Sequence, residues 1–247
     1  MIISHKYKFI FVKTAKTAGT SIEVYLSQIC DSKDVFTPFS EPEEGHLPRN
    51  YLGIFNPAPE LKKKLKLWWS GYKVDFSASF SDFVTLRKYF HHIPAWQIAN
   101  RVPRQVWDNY YKFCVERNPW DKVVSGLNWY NKKYRTKLSI DQYLSMCSSR
   151  IQARKHGVGI CPFNLYNYSD PITGKQLVDK IIFYENLAPE LEKIFLCLGI
   201  DTPNRFDVYA KSGFRDNRSY REVFNSAQQA RVEKLFKGEI ELHGYTF

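Results

Sequence analysis

Three short segments, Tyr7 to Val12 (YKFIFV), Tyr111 to Val115 (YKFCV) and Lys180 to Tyr184 (KIIFY), are dense in aromatic and β-branched residues. Each is followed by a loop and then by apolar residues at helical spacing. Runs of this kind suit strands buried on both faces of a parallel sheet. The helices that follow read as Ser21 to Ile29 (Ile22, Leu26 and Ile29 on one face), Trp120 to Tyr130 (Val123, Val124, Leu127) and Pro189 to Leu198 (Leu191, Ile194, Phe195, Leu198). Strand, loop and helix in repeated order predict an α/β fold, a central parallel β-sheet flanked by helices. Ligands bind such sheets at the carboxyl ends of the strands. The loops that matter are therefore Lys13 to Ser21 and Glu116 to Asp121.

A chain of 247 residues with 44% hydrophobic content suits one domain with a sizeable core. Residues 31–75 hold five of the twelve prolines and the basic run Leu61 to Leu67 (LKKKLKL), so they read as a loop-rich insertion. The lysine run beside Trp68 and Trp69 suits either an acidic glycan or the solvated face of an amphipathic helix. A final helix is expected over Ser226 to Leu242. Lysine and arginine number 36 against 25 acidic residues, and the net charge of +11 favours anionic partners. The five cysteines, Cys30, Cys114, Cys147, Cys161 and Cys197, are odd in number and never spaced as CxxC. That spacing predicts neither a disulfide framework nor a zinc cluster, and hence a reducing compartment. Without a long uninterrupted apolar stretch, a cytoplasmic protein with no membrane span is expected.

The first loop continues as Lys16-Thr17-Ala18-Gly19-Thr20-Ser21 and opens a helix. Glycine there lets backbone N–H groups approach an anion, the helix dipole favours negative charge, and hydroxyls surround a cationic lysine. A phosphate cradle is one reading, and an ordinary Ser/Thr helix cap is the other. It is not a Walker A loop, because the lysine precedes the glycine. The second loop, Arg117-Asn118-Pro119-Trp120-Asp121-Lys122-Val123-Val124-Ser125, offers a guanidinium fork and a hydroxyl eight residues apart. They suit a phosphate monoester, or else an ion pair and a packing serine.

KTAGTS after the first strand and RNPWDKVVS after a later one resemble, in this order, the two nucleotide-binding motifs of sulfotransferases. His92-Ile93-Pro94-Ala95, Val106 to Phe113, Phe183-Tyr184-Glu185-Asn186-Leu187, Arg218-Ser219-Tyr220-Arg221 and Glu241 to Tyr245 are similar to the branch that includes bacterial and carbohydrate 2-O-sulfotransferases. The resemblance covers about residues 7–29 and 90–247, which implies that the unmatched insertion at about 31–90 binds the acceptor, and Ala15 stands where the family commonly has proline. It implies a fold like that of P-loop NTPases and sulfuryl transfer from 3′-phosphoadenosine 5′-phosphosulfate to a hydroxyl or amine of a carbohydrate or small molecule, without a metal. It further implies that Lys16, Thr17, Ala18, Gly19, Thr20 and Ser21 grip the 5′ phosphosulfate, with Lys16 at the bridging oxygen. Arg117 and Ser125 would hold the 3′ phosphate, and Lys211, Arg215, Arg218, Tyr220 and Arg221 are candidates for the 3′ phosphate or adenine.

A base must take the acceptor proton, and histidine suits that near neutral pH. His92 matches the family's base position. His46, in the insertion, is the reserve, and His91, Glu23 and Glu116 are weaker candidates, Glu116 being expected to pair with an arginine. A kinase on a related scaffold would need a lysine after the glycine and a strand-terminal aspartate. A nucleic-acid module would need a recognisable reader motif, and neither signature is present.

Overall fold

The computed structural model describes residues 1–39, 43–152, 161–201 and 219–247. Its sheet has five strands in the order β3-β1-β2-β4-β5, built from β1 (Ile2–Ser4), β2 (Phe9–Val12), β3 (Val35–Phe36), β4 (Tyr111–Glu116) and β5 (Lys180–Phe183). β2, β4 and β5 run parallel, in register as Phe9↔Tyr111 and Phe113↔Lys180. These are the three strands expected from the sequence. The sheet as a whole is mixed, however, because β1 pairs antiparallel with both β2 and β3. β1 and β3 are three and two residues long, too short to show an alternation.

Alternate residues of the central strands feed opposite layers. Phe9, Phe11, Phe113, Val115 and Ile182 pack against Ile22 and Leu26 of α1 (Gly19–Ser27) and against Leu191, Ile194 and Phe195 of α9 (Leu187–Cys197). Ile10, Val12 and Cys114 face the other way, toward Ile98 of α4 (Ala95–Arg101) and Tyr168 of α8 (Leu165–Tyr168). With both faces covered, the strands are apolar throughout. A third cluster joins α6 (Pro119–Tyr134), α7 (Ile140–Gln152) and α10 (Ser226–Leu235) through Val123, Leu127, Tyr143, Leu144 and Val232. α5 (Arg104–Asn109) leads into β4.

Other expectations are corrected. The final helix is two: α10, opened by a reciprocal Asn225–Gln228 capping box, and α11 (Lys237–His243), divided at Phe236. The insertion is less loop-rich than its prolines suggest, for it holds α2 (Ala58–Trp69) and α3 (Phe76–Val84). Within its basic run Lys63 pairs with Asp170 at 2.5 Å and Lys64 is buried, donating to the Asp75 carbonyl, so the run is not one solvated face. Cys147 and Cys161 form a disulfide where cysteine spacing predicts none, because the chain after α7 returns to pack against it. Cys30, Cys114 and Cys197 are free thiols.

Candidate active site

The first loop leaves β2 at Val12 and is held from below by side chains of later segments. Thr14 donates its hydroxyl to the Val115 carbonyl. Asn164 accepts from the Ala15 N–H at 2.8 Å and donates to the Ala15 carbonyl at 3.1 Å. Proline at position 15 would lack that N–H, so alanine here has a structural use.

Lys16 and Ala18 both adopt positive φ, 62° and 60°. Non-glycine residues enter this region at a cost of about 1–3 kcal/mol each, and such strain collects at functional sites. Thr17 between them has no positive φ, so the sign alternates along the turn, the backbone pattern that gathers N–H groups into an anion-binding hollow. Ala18 is the N-cap of α1 and supplies no side-chain cap, which sets aside the ordinary Ser/Thr cap. The first-turn N–H groups lack intrahelical acceptors. Gly19 is required by space, since a Cβ there would lie 2.9 Å from Cγ of Lys13. Thr17 is fully buried with its hydroxyl 2.8 Å from that of Thr14, so its side chain serves the loop's own structure. Thr20 is half-buried and Ser21 buried in the first turn of the helix.

The second loop crosses to the first. Arg117 is buried, donates through Nη1 to the Lys16 carbonyl at 3.1 Å and lies 4.0 Å over the Tyr184 ring. Its Nε and Nη2 grip Asp121 Oδ2 at 2.7 and 2.6 Å. Asn118 caps α6 by accepting from the N–H groups of Trp120 and Asp121. Four-residue steps then carry one stripe from Asp121 through Ser125 and Trp129 to Lys133. Lys16 places its ammonium 5.3 Å from the Trp129 ring centre, and Lys133 places its own at 4.9 Å. Loop and stripe thus bring Lys16 to Trp129 and Arg117 to the Lys16 carbonyl, with Ser125 one helical turn before Trp129.

His92 borders the same loop. Its Nδ1 lies 3.1 Å from the Lys13 carbonyl, which can only accept, so Nδ1 carries the proton and Nε2 keeps its lone pair. Asn167 donates to the His92 carbonyl at 3.1 Å, holding a backbone with φ 59°. Burial, then the charge of Lys13, pushes the His92 pKa well below the ordinary histidine value. His91 stacks edge-on against His92 at 4.9 Å, and burial and Lys13 lower it to about 4. His46 is buried against Phe39, ring centres 3.7 Å apart, and the same causes bring it to about 4. Three histidines thus surround Lys13, whose ammonium is 2.6 Å from Glu23.

Beneath both loops lies a buried polar network. Lys122 reaches Glu116 at 2.8 Å and Glu239 at 3.2 Å. Burial opposes its charge, but the two carboxylates outweigh that and raise its pKa. Glu116 therefore pairs with a lysine rather than an arginine, and Asn164 donates to it at 3.1 Å, linking this floor to Ala15.

Tyr220 lies edge-on to Phe247, which in turn packs on Trp120 of the second loop. Arg221 donates to the Phe247 carbonyl at 2.6 Å. Lys211, Arg215 and Arg218 lie outside the described residues. Sequence reasoning missed Lys13, Asn164, Asp121 and Trp129. Of these, Asp121 and Trp129 had a signal, their four-residue spacing from Arg117 and Ser125. Among the described residues no group of histidine, cysteine and carboxylate side chains is placed to hold a metal ion, and no helix is long and apolar enough to cross a membrane.

No family model matches the chain. It is similar over 92% of its length, at 20% identity and a TM-score of 0.43, to 94% of a sulfotransferase from Alicyclobacillus acidocaldarius whose crystal structure is known. An uncharacterized protein of Archaeoglobus fulgidus is 34% identical over 132 residues, 53% of this chain and 99% of the relative. At that identity over nearly the whole relative, the chain belongs to one family with the Archaeoglobus fulgidus protein.

Proposed function

We propose that the protein is a sulfotransferase that moves a sulfuryl group from 3′-phosphoadenosine 5′-phosphosulfate to a hydroxyl or amine of a carbohydrate or small-molecule acceptor. The observation that carries this reading is convergence on one strand-end loop. Arg117 touches the carbonyl of Lys16, and His92 touches that of Lys13, both at 3.1 Å. A nucleotide-side cation and an acceptor-side base thus flank one uncapped helix start.

The donor set suits such a co-substrate. Backbone N–H groups around Ala18 and Gly19, with the Lys16 ammonium, fit the 5′ phosphosulfate. Arg117 and Ser125 suit the 3′ phosphate end, and Tyr220 with the basic residues Lys211, Arg215 and Arg218 is assigned to the same nucleotide. When bound, the nucleotide supplies an activated sulfuryl group whose leaving phosphate gains charge. Lys16 is the residue to stabilise that charge, an interaction stronger in the transition state than in the ground state. His92 Nε2 takes the acceptor proton, and its Nδ1–H bond to Lys13 fixes the required tautomer.

Release of 3′-phosphoadenosine 5′-phosphate, measured with a panel of sugar and phenolic acceptors, tests the reading. Lys16→Ala should lower the chemical rate by about a hundredfold to a thousandfold. His92→Ala should lower it by about a hundredfold to ten-thousandfold while nucleotide binding is kept. Because the His92 pKa is depressed, the rate should hold below pH 6.5 and fall only as pH drops through the lowered value. An inactive His46→Ala with an active His92→Ala would move the base into the insertion.

A further inference from the structure

α3 is an amphipathic helix turned inside out. Its buried side is polar: Ser79 donates to Glu60 Oε2 at 3.0 Å, and Asp82 pairs with Arg101 at 3.1 Å. Its apolar stripe, Phe76, Phe80, Phe83 and Val84, faces outward, with Phe80 66% exposed. The neighbouring α2 adds Leu65, Trp68 and Trp69 to the same set of exposed apolar residues, Trp69 being 72% exposed. Exposed apolar groups scattered singly need no explanation, but two adjacent helices showing seven of them do.

The charges around these residues identify what covers them. Residues 58–88 contain seven basic and three acidic side chains. Two of the three acids, Glu60 and Asp82, are buried against Arg101, while Lys62, Lys66 and Lys73 are exposed. Lys62 and Lys66 alternate with Leu65 and Trp69 on the outer side of α2, so cationic ammoniums stand beside the apolar rings. A second copy of the chain would bring these lysines against their own counterparts. Tryptophan and phenylalanine among exposed lysines are the chemistry of the interface between anionic headgroups and acyl chains.

We infer that the α2–α3 hairpin docks on an anionic lipid bilayer surface, with the rings of Trp68, Trp69 and Phe80 in the headgroup region and the lysines on lipid phosphates. This inference does not depend on the proposed reaction. The test is co-sedimentation of the full chain with vesicles of mixed phosphatidylglycerol and phosphatidylcholine, and with phosphatidylcholine alone. The expected result is strong binding to the anionic vesicles and weak binding to the neutral ones. Lys62→Glu with Lys66→Glu should weaken the former by more than about tenfold, since each lysine near such a surface is worth roughly fivefold. Trp69→Ser with Phe80→Ser should also cut binding by about tenfold or more, on the scale of buried apolar area. All four positions are exposed, so circular dichroism should show unchanged folding. Three results would overturn the inference: no binding to anionic vesicles, lipid-free dimerisation that Phe80→Ser abolishes, or binding to a heparin column by a protein that ignores vesicles.

Discussion

α9 and α3 are both amphipathic, yet one turns its apolar stripe to the sheet and the other turns it to solvent. α9 buries Leu187, Leu191, Ile194 and Phe195 against the central strands. α3 buries Ser79 and Asp82, because its neighbours Glu60 and Arg101 are buried charges that need partners. Glu60 is met by Nε and Nη2 of Arg101, by Ser79 and by Gln97, the last two at 3.0 Å. The difference teaches that periodicity marks a stripe without saying which way it faces. An orphaned buried carboxylate costs several kcal/mol, enough to hold phenylalanines out in water.

The sharpest way to break this comparison is to remove its cause. Arg101→Ala strands the buried Glu60 and leaves Asp82 with Arg87 as its cation, and should cost about 3–5 kcal/mol, the range for breaking a buried pair. Chemical denaturation measures it, and a near-neutral result would leave α3 without a reason for its orientation. Next in size is the contrast between the stripes themselves. Phe195→Ala on α9 should cost about 3–4 kcal/mol, whereas Phe80→Ala on α3 should stay within about 0.5 kcal/mol. Equal losses would mean that α3 packs as α9 does.

Acid response separates the regions more gently. Residues 58–88 contain no histidine, while His46, His91 and His92 surround Lys13. Each of the three has a lowered pKa in the fold, so below about pH 6.5 the unfolded chain binds more protons and stability falls as pH falls. For His46 and His91 this continues down to about pH 4. A group fully engaged in this way contributes at most about 1.4 kcal/mol per pH unit. Melting temperature recorded from pH 7 to 5 should decline, and His46→Leu should flatten the decline.

The parallel strands and their helices were legible because burial on both faces leaves unbroken apolar runs such as Phe9 to Val12. The two antiparallel strands were not, since Ile2–Ser4 and Val35–Phe36 are too short for a pattern. At the site, Lys16 and Arg117 were readable from their motifs. The bond from His92 to Lys13 was not, because it joins a side chain to a backbone carbonyl 79 residues away and leaves no trace in residue type. The direction of α3 stayed hidden for a related reason: the partner that turns it, Arg101, lies 19 residues beyond Asp82.

The central claim is that the loop of Lys16 and the fork of Arg117 together hold a 3′,5′-bisphosphorylated nucleotide. Thermal unfolding with added nucleotide tests it most directly. 3′-Phosphoadenosine 5′-phosphate at about a hundredfold excess over its dissociation constant should add roughly 2.7 kcal/mol, a rise of about 5–10 °C for a chain of this size. 5′-AMP and magnesium-ATP should do much less, and Arg117→Ala, judged against its own unliganded baseline, should lose most of the rise. Equal shifts with all three nucleotides, or a full shift in Arg117→Ala, would contradict the account.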